Sequence, residues 1–133
     1  MRRDVEGMTD ERRGAWTAVG LWLVLQLTLT SLPGKDIPIS LPHPIDWIGH
    51  FGLYFGLGAL ITRAASIRGW PARRLVWVAL ALSALGALDE LHQLFIPGRD
   101  CELSDWIVDT LGGSLGVFVG SRVMASRLGQ WLR

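Results

Sequence analysis

Long apolar stretches alternate along the chain with short polar ones. Four stretches are nearly free of charge: Ala15–Leu32, Ile48–Ala65, Leu75–Ile96 and Trp106–Met124. At about 1.5 Å of rise per residue, roughly 20 helical residues cross a hydrocarbon layer about 30 Å thick. The second stretch reaches that length by including Arg63, whose long side chain can extend to the interface. A soluble helix bundle needs a polar stripe on every helix. The run "WTAVGLWLVLQLTLTSL" offers only Gln26 and hydroxyls. The pattern therefore predicts an all-α integral membrane bundle of four transmembrane helices, at about 15–32, 48–65, 75–96 and 106–124. Residues 1–14 and 125–133 become tails flanking one membrane domain, 15–124.

The basic residues set an expected orientation. Arg2, Arg3, Arg12 and Arg13 precede the first span, and Lys35 alone occupies the first loop. Arg63, Arg68, Arg73 and Arg74 surround the second loop, Arg99 alone the third, and Arg122, Arg127 and Arg133 close the chain. The positive-inside rule then puts both termini and the middle loop in the cytoplasm. Trp16, Trp70, Trp77 and Trp131 fall near the inner boundary, Trp47 and Trp106 near the outer one. The first span is expected to be retained rather than cleaved, since "TSLPGKD" lacks a small-residue cleavage site.

Composition adds little beyond this. A net charge of +1 gives no reason to expect a nucleic-acid partner, and Cys101, the single cysteine, has no internal disulfide partner.

Two passages resemble each other. "PGKD" (Pro33–Asp36) precedes "DWIGH" (Asp46–His50), and "PGRD" (Pro97–Asp100) precedes "DWIVD" (Asp105–Asp109). Gln26 and Glu90 each stand seven residues before their Pro-Gly pair. Two tandem helical hairpins in the same orientation would give this pattern. So would a chance match between turn-rich loops, and both readings stand.

The polar residues inside the spans gather toward the outer side. Asp46 and His50 open the second span, Asp105 and Asp109 the fourth, and Asp89, Glu90, His92 and Gln93 end the third. Asp89 falls roughly 12 Å below the outer end of its span, His50 and Asp109 about 6 Å below theirs. An ionised acid facing lipid at such depths costs several kcal/mol, so these side chains should face inward. Asp46 with His50 and Asp105 with Asp109 are i,i+4 pairs, and Asp89 shares a face with His92 and Gln93. Glu90 is turned about 100° from Asp89, toward a different neighbour. Asp46 and Asp105 also suit helix N-termini, where a carboxylate caps free N–H groups. Gly52 and Gly56 in the second span, and Gly112, Gly116 and Gly120 in the fourth, have the spacing of tight helix contacts.

"DWIGHFGLYFGLG" and "DELHQLFIPGRDCELSDWIVDTLGGSLG" together resemble the VanZ-like family of small bacterial membrane proteins, from Asp46 to about Gly120. The resemblance implies a multi-pass protein of the bacterial cytoplasmic membrane and a role at the cell envelope. It also implies a link to glycopeptide resistance, chiefly to teicoplanin, and no settled reaction. Asp109 departs from the family pattern, which usually has Asn there.

The favoured chemistry is an outward-facing site that binds or modifies a lipid-linked or cell-wall ligand. Asp89 and His92, with Glu90 beside them, form a candidate acid–base cluster. Arg99, assisted by Lys35, suits a phosphate or carboxylate through paired charge-assisted hydrogen bonds. Gln93, Asp46, His50, Asp105 and Asp109 complete the binding set. No serine or cysteine presents itself as a nucleophile, so enzyme status stays open. A divalent metal on His50, His92 and Asp89 is a less favoured reading, because such spacings arise by chance. A proton or solute pathway is another, weakened by the apolar run below Asp89, and it would require homo-oligomers to form a pore. A binding module that shields a cell-wall precursor without chemistry is the remaining reading.

Overall fold

The computed structural model describes residues 2–34, 43–65 and 71–131. It contains α1 (Arg2–Thr30), α2 (His43–Ala64), α3 (Ala72–Gln93) and α4 (Leu103–Trp131), with no strand among the described residues. α1 and α4, at 29 residues each, continue beyond the predicted spans into the flanking tails. Among the described residues, α3 and the Leu103–Met124 part of α4 are long and apolar enough to cross a membrane. α1 matches them in length, but its first half is rich in charge. Glycines, His50 and Arg63 dilute the apolar character of α2.

α2 and α4 form the central contact, α3 leans on α4, and α1 packs against α2. Glycine makes the α2–α4 approach close. A Cβ on Gly112 would stand 2.5 Å from the Phe51 carbonyl oxygen. One on Gly116 would run into the Phe55 carbonyl, and one on Gly120 would meet the Thr62 side chain at 3.0 Å. The α4 stripe read from the sequence is therefore the seam itself. The α2 half of that reading is corrected. Gly58 faces Gly113 and Gly116 across the seam, whereas Gly56 takes the Trp22 ring of α1 and Gly52 faces open space. Of these three α2 glycines only Gly58 lies on the seam, alongside the Phe51 and Phe55 backbone.

The interior has two unlike halves. Toward the start of α1 and the end of α2 it is apolar, built from Val19, Leu57, Ala64, Leu82 and Val117. Toward the opposite end it is polar, with Gln26, Thr30, His50, Asp89, Glu90, Gln93, Asp105 and Asp109 all buried. The outside is the reverse of a soluble surface. Leu21 is 66% exposed, Val24 64%, Trp77 70%, Leu88 62% and Leu111 58%, one or more on each of three helices. Contiguous apolar surface of this kind is what a lipid environment covers. Hydroxyls among these residues are satisfied locally: Thr28 donates to the Val24 carbonyl at 2.7 Å and Thr62 to that of Gly58 at 2.8 Å.

The two Pro-Gly turns touch. Gly34 N–H donates to the Pro97 carbonyl at 3.0 Å, and a Cβ on Gly34 would overlap the Gly98 carbonyl oxygen. Gly98 itself sits at φ 75°, a conformation that glycine adopts at no steric cost. The chain thus ties the α1 and α3 ends together above the polar half.

Candidate functional site

Adjacent residues on α3 divide the polar half into two places. Successive helical positions point about 100° apart, so Asp89 and Glu90 look at different neighbours.

Glu90 faces α4. Its Oε2 accepts the Glu102 backbone N–H at 2.8 Å, which pins the carboxylate beneath the α3–α4 loop. Gly86, one turn earlier on this face, leaves room for Asp109, whose Cβ would stand 3.2 Å from an added methyl. Asp109 is fully buried, and its Oδ1 lies 3.0 Å from His50 Nδ1. On the other side of the ring, His50 Nε2 is 3.8 Å from Asp105 Oδ2. Two overlapping groups result: His50 with Glu90 and Asp109, all buried, and His50 with Asp46 and Asp105, of which Asp46 is partly exposed. In each group, one ligand atom per residue lies within 4.8 Å of the others. Asp46 and Asp105 stand in the first turns of α2 and α4, where the helix dipole favours a carboxylate. Both side chains reach His50, so these two acids serve the cluster as well as the helix ends.

Asp89 and His92 face the other way. With Gln26 and Tyr54 they supply the polar wall of a cavity of about 220 Å³, completed by Leu23, Leu27, Leu85 and Leu88. α1 and α3 barely touch, and the cavity occupies the gap between them. Leu23, Leu27 and Leu88 are themselves exposed, so the cavity opens sideways, where acyl chains would lie. Gln26 Oε1, Tyr54 OH, Asp89 Oδ2 and His92 Nδ1 are buried and have no hydrogen-bond partner. An unpartnered buried polar atom costs about 1–3 kcal/mol. These polar atoms all line the gap between α1 and α3.

Three other residues of the expected site stand apart from this cavity. Gln93 is buried, lies three residues after Glu90, and is not in the cavity wall; its Nε2 is unpartnered. Arg99 belongs to the α3–α4 turn, with a buried, unpartnered Nε. Lys35 lies outside the described residues, as do Arg68 and Trp70. The expected acid–base cluster is thus divided, Asp89 and His92 in the cavity and Glu90 in the carboxylate–imidazole cluster. The expected metal set is divided likewise, since His50 belongs to that cluster and His92 does not.

Trp22 was not singled out by the sequence, and neither Tyr54 nor Trp106 was assigned its contact there. Trp22 Nε1 donates to the Leu53 carbonyl and Trp106 Nε1 to the Ser83 carbonyl, each at 2.9 Å. Trp106, expected near the outer boundary, joins α4 to α3. A tryptophan whose N–H reaches a neighbouring helix looks the same in sequence as one at the lipid boundary.

The VanZ/LLP1 family model matches residues 11–124, and the chain belongs to that family. Together with the two apolar helices, this membership points to a membrane protein. No curated protein and no solved structure matches the chain significantly.

Proposed function

We propose that this member of the VanZ/LLP1 family crosses the bacterial cytoplasmic membrane four times, with both termini inside. Its polar cavity faces the outer leaflet and binds a lipid-linked or cell-wall ligand that carries a phosphate or carboxylate. One observation carries the reading: Gln26, Tyr54, Asp89 and His92 present four unpartnered buried polar atoms to a cavity with leucine walls. A mixed wall of this kind suits an amphiphile, its head group hydrogen-bonded and its chain lying along leucine. The opening between α1 and α3 lets such a ligand enter from the side. Arg99, in the turn at the same end, would take the anionic part of the head group by paired hydrogen bonds. The apolar other half, closed by Val19, Leu57, Leu82 and Val117, favours a binding site over a pathway through the bilayer.

Asp89 and His92 can accept and donate protons to a bound ligand. The described cavity wall contains no serine or cysteine, and Cys101 is exposed in a loop. Any covalent change would therefore use water, a group of the ligand itself, or Asp89, His92 or Tyr54 as nucleophile. Holding or altering a cell-wall precursor in this way is the proposed route to lower glycopeptide susceptibility, teicoplanin included.

Mass spectrometry of lipids that co-purify with the detergent-extracted protein tests the binding. Wild type should retain one anionic amphiphile above bulk lipid, and Asp89→Asn and His92→Gln should lose it. Identical lipid profiles for all three proteins would refute the reading. Orientation has its own test in Cys101, the only cysteine and an exposed one. A membrane-impermeant maleimide should label it on intact spheroplasts, and labelling only after lysis would reverse the topology.

A further inference from the structure

We propose that the buried cluster of His50, Glu90 and Asp109 is a divalent transition-metal site, distinct from the ligand cavity on the other face of α3. The inference rests on unused ligand atoms. Glu90 Oε1 and Asp109 Oδ2 are both buried without a hydrogen-bond partner, on side chains that are 3% and 0% exposed. The second oxygen of Glu90 is already held, Oε2 by the Glu102 N–H at 2.8 Å, whereas Asp109 Oδ1 lies 3.0 Å from His50 Nδ1, a contact that the ion would replace as Nδ1 turns its lone pair to it. A ligating carboxylate is commonly fixed in this way through its second oxygen.

The distances suit an ion. Ligand atoms about 2.1 Å from a metal lie roughly 3 Å apart at right angles and about 4.2 Å apart when opposite. One atom from each of the three residues falls within 4.8 Å of the others, so closing on the ion needs shifts of no more than roughly 1 Å. Asp105, whose Oδ2 is 3.8 Å from His50 Nε2, is positioned to orient the ring from its far side.

Charge makes the same point. Two carboxylates and a neutral imidazole around a divalent ion sum to zero, which a low-dielectric interior tolerates far better than two bare anions. Two oxygen ligands and one imidazole suit Mn²⁺ or Zn²⁺ rather than a thiolate-seeking metal. Three protein ligands leave a coordination position for water.

Mn²⁺ added to the detergent-purified full chain is the probe, read by loss of the free-ion paramagnetic resonance signal. Wild type and Asp100→Asn, which alters an exposed loop acid outside the cluster, should bind one saturable equivalent. Glu90→Gln and Asp109→Asn should bind at least ten-fold more weakly. Pulsed resonance on the wild-type complex should detect an imidazole nitrogen on the bound ion, a result that does not depend on either variant folding. Absence of a saturable site in wild type, of the nitrogen coupling, or of any difference between the cluster variants and Asp100→Asn would overturn the proposal.

Discussion

Gly116→Ala tests whether backbone contact across the α2–α4 seam holds the bundle together. The added Cβ would run into the Phe55 carbonyl oxygen and stand 2.9 Å from its carbon and 3.0 Å from Cα. Ordinary carbon–carbon contact is about 3.5–4.0 Å, so the deficit is roughly 0.5–1 Å. A flexible side chain could move aside, but here the obstacle is the main chain of a helix, so the helices must part. Leu57 and Val117 are buried beside this seam, at 0% and 2% exposure. A gap of 0.5–1 Å forfeits about a quarter to a half of each dispersion contact it opens. Overpacking of this type costs about 1–3 kcal/mol, and 2 kcal/mol is roughly a thirty-fold change in the folded-to-unfolded ratio. Gly52→Ala is the matched control. It lies in the same pair of helices, nothing comes within 4 Å of its Cβ, and alanine's helix propensity should leave it neutral or up to about 1 kcal/mol more stable. Unfolding by sodium dodecyl sulfate in mixed micelles, followed by tryptophan fluorescence, should separate the two variants by about 1–3 kcal/mol, since the propensity gain is common to both. Equal midpoints would show that the helices do not meet backbone to backbone.

Three further outcomes are expected. Trp22→Phe removes the N–H that reaches the Leu53 carbonyl across α1 and α2 and should cost about 0.6–1.7 kcal/mol in the same titration; no loss would mean that this bond does not hold α1 in place. Gly34→Ala forces a methyl into the Gly98 carbonyl and should break the hydrogen bond to Pro97, speeding hydrogen exchange of the backbone N–H at position 34 by ten-fold or more; unchanged exchange would show that the turns do not dock. Ser83 and Thr110 hydroxyls meet at 2.8 Å between α3 and α4, so a Ser83→Ala, Thr110→Val cycle should give a coupling of about 0.6 kcal/mol. The coupling stays small because either hydroxyl, left alone, can turn to a carbonyl of its own helix, and a value above about 2 kcal/mol would contradict that reasoning.

Periodicity fixes which residues share a helical face, but not which helix stands opposite that face. For that reason the four helices, the α4 glycine stripe and the i,i+4 pairing of Asp46 with His50 were legible in the sequence. The division of Asp89 from Glu90 was legible only as an angle. It took the α3 azimuth, set by Gly86 seating Asp109, to send Glu90 toward His50 and Asp89 toward Gln26 and Tyr54. Trp22 and Gly58 were illegible for the same reason, since a ring or a missing Cβ gains meaning only from its neighbour.

The repeated "DWIxx" passages connect the two levels. α2 and α4 run parallel, with Gly112 on Phe51, Gly116 on Phe55 and Gly120 on Thr62. This is nearly the register in which Asp46 matches Asp105 and His50 matches Asp109. The matched residues His50 and Asp109 meet directly, at 3.0 Å, and the two Pro-Gly turns meet through Gly34 and Pro97. Contacts between matched positions are what an axis along the bundle requires, and they favour a duplicated hairpin over a chance match of two turns. Two identical acids facing each other across such an axis would repel in a medium of low dielectric. Histidine in one copy and aspartate in the other make the pair unlike, able to share a proton or an ion. On this argument the substitution His50→Asp should destabilise the seam by adding a fifth acid to Asp46, Glu90, Asp105 and Asp109, and added Mn²⁺ should restore part of the loss. Failure of the metal to do so would separate the symmetry argument from the metal site and leave only the first standing.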